Sequence, residues 1–302
     1  MGWRLGLLAV VVCGLTVFVV KGALGGHDRT TTTKTIRVVK TSPSKRTTSA
    51  PETTEAAPQE VHRTHKAMPP ATKTPRADLP LSGLTISVDP GHNGGNFSHP
   101  EEIDRLVPAG ASGTTKPCNT TGTETNDGSF AEAQFNWDVA QDLVPRLERM
   151  GATVVLTRHS NDGVGPCVNE RAAIANRAHA AVALSIHADG NLTEGAHGFD
   201  VIHPSTAEMV APTMAGPSLE LAEDIRGSLI GAGVPPANYV GEDGLDERSD
   251  LAGLNLARVP AVLVELGNMR DEEEAAKLED PGYRHRLAEA LAAGIVAFLH
   301  RS

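Results

Sequence analysis

The segment LTISVDPGH, residues 84–92, is an apolar β-branched run that ends in a turn carrying His92. The same arrangement recurs in AVALSIH, residues 181–187, which ends in His187. A third apolar run, AVLVE at residues 261–265, ends in Glu265. Each run therefore places a residue that can bind a metal or move a proton at the end of a strand. In open α/β sheets, sites assemble at the carboxyl ends of the strands.

The segments between these runs alternate between strand and helix patterns. Strand patterns occupy residues 153–157 and 198–202, and helical periodicity occupies residues 129–150, 169–178, 219–230 and 283–299. Ser129, with Glu132 three residues later, has the spacing of a capping box at the start of the first long helix. We expect an α/β fold, a single three-layer domain with a mostly parallel central sheet flanked by helices.

The long connection at residues 93–128 has no periodicity, which is typical of a functional or mobile loop. It holds Cys118, and the domain's only other cysteine is Cys167. A pair of cysteines in an exported chain predicts a disulfide, and both cysteines follow strands whose ends should share one sheet edge.

Composition divides the chain into three segments. Residues 5–20 are almost wholly apolar, so residues 1–25 are expected to be a signal peptide or a short membrane anchor. Residues 26–79 are rich in Thr and Pro, which predicts a disordered linker. Residues 80–302 are expected to form the one catalytic domain, and the chain is expected to be a monomer.

The charge is divided unevenly between linker and domain. The linker has ten Lys and Arg against five Asp and Glu, a net charge of +5, whereas the domain has fifteen against thirty-two, a net charge of −17. So acidic a domain argues against a nucleic-acid partner. The basic linker could lie against anionic lipid or wall polymer, although solubility alone also explains it.

The two histidines suggest a metal site. His92, His187 and one carboxylate would form a three-ligand zinc site with a position left for water. The spacing is weak evidence by itself, since either histidine could be structural and Glu132 could be only the capping-box glutamate. Glu265 is harder to explain structurally, because a carboxylate beside an apolar strand is costly to bury without a partner.

Five motifs together resemble the zinc-dependent N-acetylmuramoyl-L-alanine amidases of the Amidase_3 type, in particular mycobacterial or other actinobacterial members. In chain order they are VDPGHNGG at residues 88–95, Glu132 with Asn136, RAAIAN at residues 171–176, SIHAD at residues 185–189 and VELGN at residues 264–268. Their common order over residues 84–300 makes the resemblance far more specific than any one motif.

The resemblance implies a role for each matching residue. His92, Glu132 and His187 would bind zinc, and Glu265 would be the catalytic acid/base. Two departures stand out: Asn93 interrupts the usual DPGHGG, and the loop before Glu132 is longer than usual. The extra residue should be tolerated because it lies in a loop, and the longer loop bears on how accessible the zinc is without substrate.

Other polar residues have simpler explanations. Arg171 is expected to pair with a carboxylate or dock its helix, and Asn176 and Asn268 to satisfy backbone groups in turns. His197 and His203 could line a groove, but solvent-exposed loop positions are favoured for both. No Gly-x-Ser-x-Gly motif is present and neither domain cysteine resembles a nucleophile, so covalent catalysis has no support.

The sequence therefore predicts a secreted or membrane-tethered zinc amidase whose substrate is peptidoglycan or its muropeptide fragments. It would act outside the cytoplasm, in the cell envelope or periplasm or anchored on the outer face of the inner membrane through residues 5–20. Two alternatives stay open. One is a different zinc amide hydrolase that cuts the stem peptide, and the other is a non-enzymatic wall-binding regulator on an amidase fold.

Overall fold

The computed structural model describes residues 79–301. The predictions for residues 1–25 and nearly all of the linker at 26–79 lie outside this range. Within residues 79–301, no helix combines the length and apolar character needed to span a bilayer.

Across the described residues, eight strands form a six-stranded sheet and a separate hairpin. The sheet has the order β4-β1-β5-β8-β6-β7, and β2 pairs with β3 in the antiparallel hairpin. The strands are β1 Thr85–Pro90, β2 Leu106–Pro108, β3 Thr115–Pro117, β4 Thr153–Leu156, β5 Val182–Asp189, β6 Asp200–Pro204, β7 Leu245–Arg248 and β8 Ala261–Asn268. All ladders of the large sheet are parallel except that between β6 and β8. The predicted α/β class with a mostly parallel sheet is confirmed.

Seven α-helices occupy the described part of the chain. They are α1 Pro100–Ile103, α2 Glu132–Arg149, α3 Val168–Arg177, α4 Ala215–Gly231, α5 Ala252–Asn255, α6 Glu272–Glu279 and α7 Pro281–Leu299. Helices α2, α4 and α7 pack together on one face of the sheet, and the shorter α3 and α5 cover the other. The three-layer arrangement follows from this division.

The main core lies under the long helices. Ile86 and Val88 of β1 alternate with polar neighbours and are fully buried against the apolar stripe of α2, which includes Phe135 and Leu143. Burial of each such side chain stabilises the fold by about 1.5–3 kcal/mol. The apolar face that the 3.6-residue periodicity gives α2 thus packs against the apolar face that alternation gives β1.

The start of α2 differs from the prediction. The helix begins at Glu132 after Ala131, and Ser129 makes no cap. The Ser129 hydroxyl donates to Asp127 instead, and the Glu132 carboxylate turns away towards the two histidines. The capping-box interpretation was wrong, because tertiary partners compete with a local cap for the same carboxylate.

The connection at residues 93–128 is more ordered than its sequence suggests. It contains a 3₁₀ turn at Asn96–Ser98, helix α1 and the β2–β3 hairpin. A disulfide joins Cys118, just after the hairpin, to Cys167, with their Cα atoms 4.4 Å apart. The bridge spans 49 residues, for which the chain-entropy model gives a stabilisation of about 4 kcal/mol. It fixes the end of the hairpin to the start of α3.

Candidate active site

His92 follows the carboxyl end of β1 in a left-handed backbone conformation, with φ at 55°. Non-glycine residues adopt this conformation rarely, and they cluster at functional sites when the surrounding structure holds them there. Gly91 is needed just before it, because a Cβ on Gly91 would come within 2.1 Å of the His187 imidazole. The Pro-Gly-His turn therefore brings the two histidines together, with their ring centroids 4.8 Å apart.

Glu132, the first residue of α2, lies between the two histidines and is 3% exposed. Its Oε1 lies 3.2 Å from His92 Nε2 and 2.8 Å from His187 Nδ1. Its Oε2 accepts a hydrogen bond from the Thr123 amide at 2.9 Å. One candidate ligand atom from each of the three residues lies within 4.8 Å of the others.

The hydrogen bonding of His92 shows how its ring is oriented towards Glu132. His92 Nδ1 lies 3.0 Å from the Thr120 carbonyl oxygen, which can only accept, so Nδ1 carries the proton. In the neutral ring, Nε2 then presents a lone pair towards Glu132 Oε1, and two acceptors face each other. A proton on Nε2 or a metal cation between the two atoms removes this conflict, and two imidazoles with one carboxylate are a donor set that suits zinc. The Thr120 contact also fixes the ring orientation, as outer partners of metal-binding histidines do.

The electrostatics of the three residues depend on their mutual contact. Burial alone would raise the pKa of Glu132, but the facing His92 and His187 hold it well below its ordinary value. Burial lowers the pKa of His187, whereas at His92 the nearby Glu132 outweighs burial and raises the pKa. Glu132 is thus an anion at neutral pH, as a metal-binding carboxylate must be.

Glu265 lies on β8 beside His187, its register partner on β5. It lines the same open pocket as His92, Glu132 and His187. Its Oε2 is buried and has no hydrogen-bond partner among the described residues. Burial, together with the neighbouring carboxylates of Glu132 and Asp200, raises the pKa of Glu265 well above its usual range.

Asp200 extends this row on the other side, since it pairs with Glu265 across the antiparallel β6–β8 ladder. It is 2% exposed, and burial with the nearby Asp189 and Asp246 raises the pKa of Asp200 to about 7. Nothing in the sequence pattern pointed to Asp200, because its place beside Glu265 depends on the direction of β6.

A network behind the site anchors the Pro-Gly-His turn. Arg171 of α3 donates to Asp89 Oδ1 at 2.6 Å and to the His92 carbonyl at 2.8 Å. Arg158 donates to the Pro90 carbonyl at 2.7 Å. Burial opposes ionisation of Asp89, but Arg171 and the hydroxyls of Ser185 and Thr157 lower its pKa to about 2. The predicted structural role of Arg171 is confirmed, whereas the role of Arg158 was missed.

Asn136, one turn after Glu132, is fully buried and donates to the Gly91 carbonyl at 3.2 Å. Asn176 and Asn268 hydrogen-bond to backbone groups, as expected. His197 is a half-buried loop residue whose Nδ1 lies 2.9 Å from the Gly195 carbonyl. The expectation that His203 lies in an exposed loop was wrong, since it lies within β6 and is only 9% exposed.

Comparison with known proteins adds a family assignment to this geometry. A family model described as N-acetylmuramoyl-L-alanine amidase matches residues 86–297. The N-acetylmuramoyl-L-alanine amidase Rv3717 of Mycobacterium tuberculosis is 42% identical over 219 residues, which cover 72% of this chain and 88% of that protein.

Two solved structures are similar over the same part of the chain. The crystal structure of the amidase Ami1 from Mycobacterium smegmatis matches with a TM-score of 0.67 and 41% identity, covering 72% of this chain and 98% of that one. The apo form of Ami1 from Mycobacterium abscessus matches with a TM-score of 0.68 and 42% identity, covering 72% and 100%. The resemblance seen in the sequence, including its mycobacterial character, is confirmed.

Proposed function

Because this chain belongs to the N-acetylmuramoyl-L-alanine amidase family, we propose that it is a zinc-dependent enzyme that hydrolyses the amide bond between N-acetylmuramic acid and L-alanine in peptidoglycan. The observation that carries the zinc part is the cluster of His92, Glu132 and His187, whose ligand atoms lie within 4.8 Å of one another. When bound there, zinc supplies Lewis acidity, which polarises the scissile carbonyl and makes water a stronger acid.

Side chains of the protein account for the other parts of the proposed reaction. His92, Glu132 and His187 would hold the metal, while Thr120 and Arg171 fix the turn that carries His92. Glu265 accepts a proton from the attacking water at its carboxylate and returns it to the amine nitrogen of L-alanine as that nitrogen leaves. Its raised pKa favours the second transfer, because a carboxyl group that holds its proton is a better general acid near neutral pH.

The location outside the cytoplasm belongs to the same proposal. Peptidoglycan lies outside the cytoplasmic membrane, and the apolar residues 5–20 would either direct export or anchor the chain there. The Cys118–Cys167 disulfide agrees with an oxidising compartment.

The masses of the reaction products test which bond is hydrolysed. The full chain is incubated with purified muropeptides, with and without a chelator, and the products are weighed by mass spectrometry. We expect intact stem peptides that begin with a free L-alanine, together with peptide-free glycan, and neither with chelator. Fragments cut within the stem peptide would instead identify a peptidase, and zinc binding without any product would identify a wall-binding protein.

A further inference from the structure

Glu274 is a buried carboxylate that has no part in the reaction described above. It lies in the first turn of α6 and is only 4% exposed. A carboxylate this buried is costly unless hydrogen bonds compensate for the loss of water. Its Oε2 accepts from two backbone N–H groups, that of Gly198 at 2.9 Å and that of Asn268 at 2.7 Å. Glu274 therefore joins the segment that enters β6 to the last residue of β8.

These two amides lie where the ladder between β6 and β8 ends. The last pair of this antiparallel ladder is Asp200 with Glu265. Gly198 comes two residues before Asp200. Asn268 comes three residues after Glu265, so both amides lie just past that pair. Two N–H donors cannot satisfy each other, and buried backbone groups need partners. The Glu274 carboxylate supplies the acceptor that continued pairing of the two strands would otherwise provide.

The part of β8 that follows Glu265 contains a bulge. On the side of β8 that pairs with β5, Glu265 is level with His187. Three residues later, Asn268 is level with Asp189, which is only two residues after His187, so β8 holds one extra residue. Gly267 lies in this bulge with φ at 137°, a conformation that favours glycine. Bulges beside active sites redirect a neighbouring side chain, and the residue that immediately precedes this bulge is Glu265.

The direction of the Glu265 side chain depends on this stretch of backbone. Glu265 lines the pocket of the proposed metal site, but its buried Oε2 has no hydrogen-bond partner among residues 79–301. The strand that carries the carboxylate therefore sets its direction. A displacement of about 1 Å in a group near the chemistry can lower a rate about 100-fold. A bulge held in one shape after Glu265 would prevent such a displacement.

We propose that Glu274 is a positioning residue for Glu265. By accepting from Gly198 and Asn268, its carboxylate holds the bulge in one shape and keeps the Glu265 carboxylate directed into the pocket. Glu274 is not among the residues that line this pocket, so it acts through the backbone and not on the substrate. This role rests on the proposed function, in which Glu265 is the acid/base, and it adds the residue that keeps the acid/base in place.

Two substitutions at Glu274 separate positioning from general stability. Glu274→Gln keeps an oxygen that can accept from both amides, whereas Glu274→Ala leaves two buried N–H groups unpaired. With muropeptides and the full chain, kcat should fall about 10- to 100-fold in Glu274→Ala, with KM and zinc content unchanged. Glu274→Gln should recover most of the wild-type kcat. Glu273→Ala, at the exposed neighbouring position, is the control and should match wild type.

A double-mutant cycle tests whether Glu274 acts through Glu265. In a Glu265→Gln background, Glu274→Ala should cause little further loss of kcat, because the group that Glu274 positions has already been removed. If Glu274→Ala does not fold, Gly267→Ala strains the same bulge and should show the same dependence on Glu265. The same kcat loss in both backgrounds, a parallel loss of zinc, or wild-type kcat in a folded Glu274→Ala variant would overturn the proposal. A wild-type chain that releases no stem peptide would instead overturn the proposed function.

Discussion

At the scale of single residues, the site depends on glycines that allow close approach. Gly122 has φ at 81°, and a Cβ there would lie 2.7 Å from Glu132 Oε2 and 2.9 Å from His92 Cδ2. The polypeptide at Gly122 therefore touches two of the three proposed ligands without supplying one. Nothing in the sequence distinguished this glycine from the others in the connection at residues 93–128.

Gly122→Ala should lower zinc affinity about 10- to 100-fold, the usual range for changes in groups that orient ligands. The added methyl group displaces Glu132 and His92 from each other. The measurement is competition with a chromogenic chelator. Gly113→Ala is the matched control, because Gly113 has φ at 86° and its Cβ would meet nothing within 4 Å. Equal zinc affinities in the two variants would show that the close approach has no bearing on the metal.

A substitution at Glu265 distinguishes the role of a catalytic acid/base from that of a metal ligand. Glu265→Gln keeps size and some hydrogen bonding but cannot transfer the proton, so turnover should fall by about 10²–10⁴ while zinc content stays normal. Amidase rate and metal content are measured on the same preparation, with the exposed Glu194→Gln as control. Zinc lost in proportion to activity would make Glu265 a ligand instead of the acid/base.

At the scale of elements, the Asp89–Arg171 pair joins β1 to α3 behind the metal site. Arg171, Ser185 and Thr157 overcome the effect of burial and lower the pKa of Asp89 from 3.8 to about 2 in the folded protein. A depressed folded pKa adds stability that is complete above the unfolded pKa of 3.8 and is lost as the pH falls towards 2. The contribution is about 2 kcal/mol at neutral pH.

The Asp89→Asn variant tests this linkage. The free energy of unfolding is measured in urea for wild type and variant between about pH 6 and pH 3, within the range where carboxylates lose their charge. The stability advantage of the wild type should shrink as the pH falls, because protonated Asp89 resembles asparagine. Asp162→Asn, at an exposed position, serves as control. A wild-type advantage that stayed constant with pH would mean that the ionised Asp89 does not stabilise the fold.

The sequence predicted those elements whose periodicity comes from the core. Strand β5 and helix α7 lie within a few residues of their expected bounds because their apolar faces are buried. Strand β7 and helices α5 and α6 were not predicted, since each is too short to show a clear periodicity. The antiparallel direction of β6 was not predicted either, because side chains alternate between the two faces of a sheet in parallel and antiparallel strands alike.

At the scale of the whole molecule, parallel strands explain why residues far apart in sequence share one site. His92 and His187 lie at the carboxyl ends of β1 and β5, and Glu265 lies level with His187 on β8. This convergence could be predicted from the order of the motifs along the chain and from the residue types at the strand ends. The supporting contacts of Thr120, Gly122 and Arg158 could not be predicted, because they depend on how the long connection at residues 93–128 and the segment after β4 fold over the site.

His92, Glu132 and His187 are proposed to hold the zinc on which amidase activity depends. Zinc content and muropeptide amidase activity are determined together for wild type, His187→Ala and the control His197→Ala. We predict about one zinc per chain in wild type and in the control, and loss of both zinc and activity in His187→Ala. Stoichiometric zinc and full activity in a folded His187→Ala variant would show that His187 is not a zinc ligand.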